Sequence, residues 1–70
     1  MEWRELSSSA IARVAYDEES RTLSVEFRNG RVYEYFDLPR HVYEELLKAP
    51  SAGRFVTYNI KDVYRYKRVK

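Results

Sequence analysis

An asparagine–glycine pair at positions 29–30 constrains the fold more than any other feature of this sequence. It lies between two segments, residues 22–27 and 31–36, in which apolar and polar side chains alternate. Alternation with a period of two is typical of half-buried strands, and an Asn-Gly pair favours the backbone conformations of a tight turn. The segment therefore predicts a β-hairpin.

The length of the hairpin loop decides which side chains share a face of the sheet. A two-residue loop of Asn29 and Gly30 would bury Glu34, whereas a three-residue loop over residues 28–30 shifts the pairing by one position. We favour the longer loop, with Gly30 left-handed, because it buries aromatic rings and leaves Glu34 in water. The expected cross-strand pairs are Val25 with Tyr33 and Leu23 with Tyr35. We interpret these two tyrosines as packing residues between sheet and helices, with their hydroxyls reaching out, more than as a contact site.

The segment before the hairpin predicts a further strand at residues 9–16. Its alternation is imperfect, because Ile11 and Val14 fall on opposite faces, and a β-bulge or two half-buried faces would explain that. Residues 17–21 form a polar turn, and residues 1–8 are expected to be a loose lead-in.

Two helices are predicted after the hairpin. Pro39 suits the first turn of a helix that Pro50 ends, and Ser51 can cap the next one. The apolar stripe of the first comprises Val42, Tyr43, Leu46 and Leu47. That of the second comprises Ala52, Phe55, Val56, Ile60 and Val63. Residues 63–70 alternate again and predict a short final strand or an extended arm.

These elements predict one α+β domain spanning residues 1–70: a three-stranded antiparallel sheet, two helices packed on one face and a basic C-terminal strand or arm. A domain of this length has a thin core that rarely supplies more than roughly 3–5 kcal/mol. Seven tyrosines, three phenylalanines and one tryptophan are a large aromatic content, and most of them are expected to be structural.

The composition limits the classes of function. Cysteine is absent, so neither disulfides nor a thiolate metal site are expected. No apolar run approaches the roughly 20 residues of a membrane span, and the first ten residues lack the apolar core of a signal peptide. We expect a cytoplasmic protein with no membrane partner.

Positive charge is concentrated at the C-terminal end. Residues 1–50 carry a net charge of −3, and residues 51–70 carry +5. Tyrosines alternate with these cations, and such a pattern favours a polyanion whose unpaired bases stack on the rings. The candidate nucleic-acid-binding residues are Arg54, Lys61, Tyr64, Arg65, Tyr66, Lys67 and Arg68. The alternative is that Tyr64 and Tyr66 pack into the sheet and that the cations only keep this end of the chain soluble.

Catalytic and metal-binding patterns are weak. His41 precedes Glu44 and Glu45 at helical spacing, but such polar pairs are ordinary on a solvated helix face. The serines at positions 7–9 have no accompanying base, and the two glycines form no phosphate-binding loop. We expect no enzyme, no metal and no cofactor.

Several segments together resemble the KTSC domain family, named after the C-terminal extension of some lysyl-tRNA synthetases and also found as free-standing bacterial and phage proteins. They are "SSAIARVAYD", "TLSVEF…NG…YEYFDLP" with its Tyr-x-Tyr, "VYEELLKA" followed by "SAGRF", and "VYRYKRV". The resemblance covers about Ser8 to Val69. Ala15, Thr57 and Arg65 depart from it, standing where Gly, Asn and Pro are expected. It implies RNA binding, from the attachment to a synthetase.

We therefore hypothesise a small non-enzymatic module that binds RNA or single-stranded nucleic acid through the C-terminal patch. The alternative is a protein-interaction or self-associating module that uses Val32 and Phe36 on the opposite sheet face, with a protein partner or a second copy as ligand. A third hypothesis is a phage or mobile-element regulator that captures a host factor or a nucleotide.

Overall fold

The computed structural model describes residues 2–70 and contains five strands and two helices. The elements, in chain order, are β1 (Trp3–Glu5), β2 (Ile11–Asp17), β3 (Thr22–Phe27), β4 (Val32–Tyr35), α1 (Arg40–Lys48), α2 (Ala52–Asn59) and β5 (Tyr66–Arg68). Among these residues, no helix is long and apolar enough to cross a membrane.

The five strands form one antiparallel sheet in the order β1-β2-β3-β4-β5. The α+β class and the C-terminal strand are confirmed, whereas the prediction of three strands is wrong. The loose lead-in is also wrong for Trp3–Glu5, which pairs with residues 13–15 of β2. The backbone ladder holds this edge strand, whose side chains are all exposed. A segment without a buried face gives no alternating pattern in the sequence.

The hairpin has the predicted register. Val25 pairs with Tyr33 and Leu23 with Tyr35. The loop comprises residues 28–30: Phe27 N–H donates to the carbonyl of Arg31 at 2.8 Å, and Gly30 has a positive φ of 91°. Glycine fits here because it adopts the left-handed region without steric penalty.

Of the two explanations offered for the irregular alternation of β2, the structure shows the bulge. The pairing of β2 with β3 shifts register between Ile11 and Arg13, which is a β-bulge. As a result, Ile11 and Val14 both face the helices, and both are fully buried. The strand begins at Ile11 instead of residue 9, because the Ser8 hydroxyl accepts a hydrogen bond from Ile11 N–H at 3.1 Å.

Both helices pack on one face of the sheet, here called the inner face, which carries Leu23, Val25 and Tyr35. Pro39 precedes α1, and the Ser51 hydroxyl caps α2 by accepting a hydrogen bond from Arg54 N–H at 3.3 Å. The core is completed by Leu38, Val42, Leu46, Ala52, Val56 and Ile60.

One residue of the predicted helical stripe is misplaced. Helix α2 ends at Asn59, and the chain turns after Ile60 toward β5. Ile60 is fully buried, whereas Val63 is 64% exposed. The prediction that Val63 continues the apolar face is therefore wrong, because the turn rotates it away from the sheet.

Candidate functional site

A groove of about 290 Å³ opens between α2 and the inner face of β3, β4 and β5. We call it the tyrosine groove. Its aromatic residues are Phe27, Tyr33, Tyr35 and Tyr66, and its remaining residues are Asn29, Arg31, Val56, Thr57 and Lys61. The site thus combines strand aromatics, the hairpin loop and one edge of a helix.

Strand pairing assembles the rings. Because Tyr35 pairs with Tyr66 across β4 and β5, both side chains stand on the inner face. The ring centroid of Tyr66 lies 5.8 Å from that of Tyr33 and 6.0 Å from that of Tyr35. The ring of Phe27 meets Tyr33 edge to face at 5.7 Å. These distances fall within the usual range of interacting aromatic pairs, so the rings form one contiguous surface.

The rings differ in how much solvent they meet. Tyr35 is 3% exposed and belongs to the core, Tyr33 is half-buried, and Tyr66 is 58% exposed. The interpretation of Tyr35 as a packing residue is correct. Tyr33 and Tyr66, however, leave aromatic surface open to a ligand.

The hydroxyl of Tyr35 is held in its neutral form. Burial raises its pKa first, and the neighbouring hydroxyls of Tyr33 and Tyr66 and the carboxylate of Asp62 raise it further. A neutral phenol both donates and accepts hydrogen bonds, so the floor of the tyrosine groove is polar without carrying charge.

Cations lie at the rim. Arg31 and Lys61 line the tyrosine groove and are exposed. Arg68 pairs with Tyr33 across the strands and therefore stands on the same face. No acidic residue is among the described residues that line the groove. The rim is thus suited to a negatively charged ligand.

The structure divides the seven residues predicted from the C-terminal charge cluster. On the groove face lie Lys61, Tyr66 and Arg68. Away from it lie Arg54, Tyr64, Arg65 and Lys67. The predicted patch is therefore not one continuous surface, because alternate residues of a strand point to opposite faces.

The four predicted residues that lie away from the groove face contact other parts of the molecule. The guanidinium of Arg65 donates to the Asp37 carboxylate at 3.0 Å and lies 5.6 Å from the ring of Phe36. Lys67 pairs with Glu34 on the outer face, the sheet face without helices. Tyr64 packs against the core, and Arg54 lies beside Tyr58 on another side of α2.

Sequence reasoning missed part of the groove. Phe27, Asn29, Arg31 and Thr57 were not candidates, and Tyr33 and Tyr35 were assigned to packing more than to contact. The Tyr-x-Tyr spacing of 33–35, repeated at 64–66, was a usable signal for strands that present rings. Nothing local could reveal that Tyr66 pairs with Tyr35, because that contact depends on the path through both helices.

The carboxylates near His41 do not gather into a metal site. Glu44 accepts a hydrogen bond from Arg40 at 3.0 Å, one helical turn away. Within residues 2–70, no group of three or more His, Cys, Asp or Glu side chains is positioned to hold a metal ion.

Related proteins share this small α+β fold. The family model described as the KTSC domain matches residues 7–66 of the sequence. A crystal structure of a KTSC domain protein from Yersinia pestis superposes with a TM-score of 0.92 at 30% identity, covering 99% of this chain and 97% of that one. The chain therefore belongs to the KTSC domain family.

Two kinds of curated relative are similar to this chain in sequence. A lysine–tRNA ligase of Nostoc punctiforme is 38% identical over 61 residues, which cover 87% of this chain but only 11% of the ligase. An uncharacterized protein of Stutzerimonas stutzeri is 40% identical over 65 residues, covering 91% of this chain and 92% of that protein. The same domain thus occurs within a large enzyme and as nearly the whole of a small protein.

Proposed function

We propose that this domain is a non-enzymatic module that binds single-stranded nucleic acid, RNA foremost, in the tyrosine groove. The observation that carries the proposal is the joining of the open rings of Tyr33 and Tyr66 to the cations Arg31 and Lys61 in one groove. Bases stack on aromatic rings without regard to sequence, and cations beside them neutralise the phosphates. We place this activity in the cytoplasm, as the sequence suggests.

The lysine–tRNA ligase relative supports RNA as the ligand class. That protein acts on a tRNA, and its matching segment is 38% identical to this chain over 61 residues. The matched segment is 11% of the ligase, so the ligase reaction itself is not carried over. We carry over only the proximity to RNA, as part of the proposal.

The test is fluorescence anisotropy of a labelled single-stranded RNA, titrated with the protein at several salt concentrations. Binding is expected to weaken linearly on a log–log plot against salt, with a slope of about −0.7 for each phosphate contact on a single strand. Replacing Arg31 and Lys61 together by alanine should flatten the slope by about 0.7 for each lost contact.

A matched double variant separates the groove from general basicity. Arg65 and Lys67, replaced together by alanine, remove the same charge from the opposite face of the sheet. We expect this variant to keep most of the salt slope and affinity. Absence of salt-sensitive binding by the unmodified chain would refute the proposal, as would equal losses in the two double variants.

A second candidate function is contact with a protein or a second copy through the outer face. Two observations support it: within residues 2–70 both helices lie on the inner face, and the ring of Trp3, at the edge of the outer face, is 37% exposed. It ranks second because guanidinium groups cover its rings: Arg13 lies 4.6 Å from the Trp3 ring centroid, and Arg65 lies over Phe36.

Light scattering tests this candidate directly. A dimer that Phe36→Glu dissociates would support it, whereas a monomer at all concentrations would remove self-association. Lys67→Glu changes charge on the same face without touching the aromatic ring and serves as the control for Phe36→Glu.

A further inference from the structure

The side-chain amide of Asn29 has a fixed orientation at the mouth of the tyrosine groove. Its Oδ1 accepts a hydrogen bond from Arg31 N–H at 3.0 Å. Since a backbone N–H only donates, the atom that faces it must be the oxygen, and the Nδ2 group points the other way. Within residues 2–70 that NH₂ group donates to no other side chain or carbonyl, so both of its donors are free.

The opposite wall of the groove has the complementary polarity. The hydroxyl of Thr57 donates to the carbonyl of Gly53 at 2.9 Å, within α2. Its hydrogen is therefore occupied, and Oγ1 can only accept a further hydrogen bond from a ligand. The hairpin wall thus donates and the helix wall accepts, and the Watson–Crick edge of an unpaired base, which carries both kinds of group, can meet the two walls.

The size of the groove limits what enters it. Its volume of about 290 Å³ lies just below the range of small-ligand pockets, which is roughly 300–1,000 Å³. The space suits one nucleotide unit, with its phosphate against Arg31 or Lys61 and its base against Tyr33 and Tyr66. Neighbouring nucleotides would pass over the rim.

We propose that the tyrosine groove takes one unpaired base of a bound strand, and that the Asn29 amide donates a hydrogen bond to an acceptor on the edge of that base. This inference rests on the proposed function and adds base selection to it. Stacking on Tyr66 supplies affinity that all bases share, and Asn29 makes the affinity depend on which base enters. Asn29 would therefore be the specificity-determining residue.

Base preference is measured by anisotropy with four short single-stranded RNAs that differ in one base within an abasic backbone. The unmodified chain should rank the four bases over roughly a 2- to 10-fold range in Kd, as expected for a net hydrogen bond. Asn29→Asp keeps the oxygen that accepts from Arg31 N–H but replaces the donor, so the ranking should change. Asn59→Asp adds the same charge on another side of α2 and should keep the ranking.

The outcomes separate this inference from the proposed function. If no strand binds in a salt-sensitive way, the proposed function fails and the inference fails with it. If strands bind but Asn29→Asp keeps the base ranking, only the inference is overturned. The same holds if strands that carry two or three bases gain affinity evenly with each added base, because the groove would then not select one base. Binding of a free nucleoside monophosphate as tightly as the strand would also overturn it, because the occupant would then be a free nucleotide.

Discussion

The ring of Tyr66, on the last strand, lies 5.8 Å from the ring of Tyr33, on the strand that follows the hairpin loop. This contact joins two parts of the chain that both helices separate. Because of this contact, Tyr33 does more than pack against the core: its ring forms one side of an aromatic surface. The tyrosine groove exists because β5 returns to pair with β4.

Tyr66→Ala should weaken binding of a single-stranded RNA by roughly 5- to 150-fold, the effect of losing one base–aromatic stack. Stability should change little, because the side chain is largely exposed. Tyr58→Ala is the control, since Tyr58 is 76% exposed but lies outside the tyrosine groove. Anisotropy gives the affinities and urea unfolding gives the stabilities; equal losses of affinity in both variants would contradict this prediction.

The raised pKa of Tyr35 predicts that the folded protein loses stability at high pH. Burial raises its pKa in the folded protein, so the unfolded chain loses the phenolic proton at a lower pH than the folded one does. The contribution to stability is complete below about pH 10, the ordinary pKa of tyrosine, and declines as pH rises through the folded pKa. Urea unfolding at increasing pH should show this decline, and Tyr35→Phe should reduce it. An equally steep decline in the variant would assign the effect to other groups.

Ile60 and Val63 should respond very differently to the removal of small groups. Ile60→Val removes one methylene group from a fully buried side chain and should lower the free energy of unfolding by about 0.5–1.5 kcal/mol. Val63→Ala, at an exposed position, should stay within about 0.5 kcal/mol of the unmodified chain. Urea unfolding measures both. A larger loss for Val63→Ala would mean that α2 continues past Asn59.

Gly30 should tolerate replacement poorly for reasons of backbone conformation. A Cβ at this position would meet no atom within 4 Å, so any loss comes from its positive φ of 91°. Gly30→Ala should cost about 1–2 kcal/mol, and Gly30→Asn less, because asparagine enters the left-handed region more readily. Thermal unfolding compares the three chains; equal stability of alanine and glycine would show that the loop relaxes to another turn.

Much of the fold could be predicted from local patterns. The register of the hairpin follows from the position of Gly30 and from the placement of Glu34. The spacing of Ile11 and Val14 indicated either a bulge or two half-buried faces in β2. The strand Trp3–Glu5 could not be predicted, because its side chains are all exposed and only backbone hydrogen bonds hold it.

The sequence by itself determined the α+β class, the helix limits near Pro39 and Ser51, the family resemblance and the basic end. Only the tertiary structure decided which cations share a surface. Alternation along β5 sends Tyr66 and Arg68 to the inner face and Lys67 to the outer one. The pairing of β5 with β4 then places Tyr66 beside Tyr35. The sequence shows how many charges lie close together along the chain, but not which of them share a surface. That depends on strand pairing and helix packing between segments that are distant in the sequence.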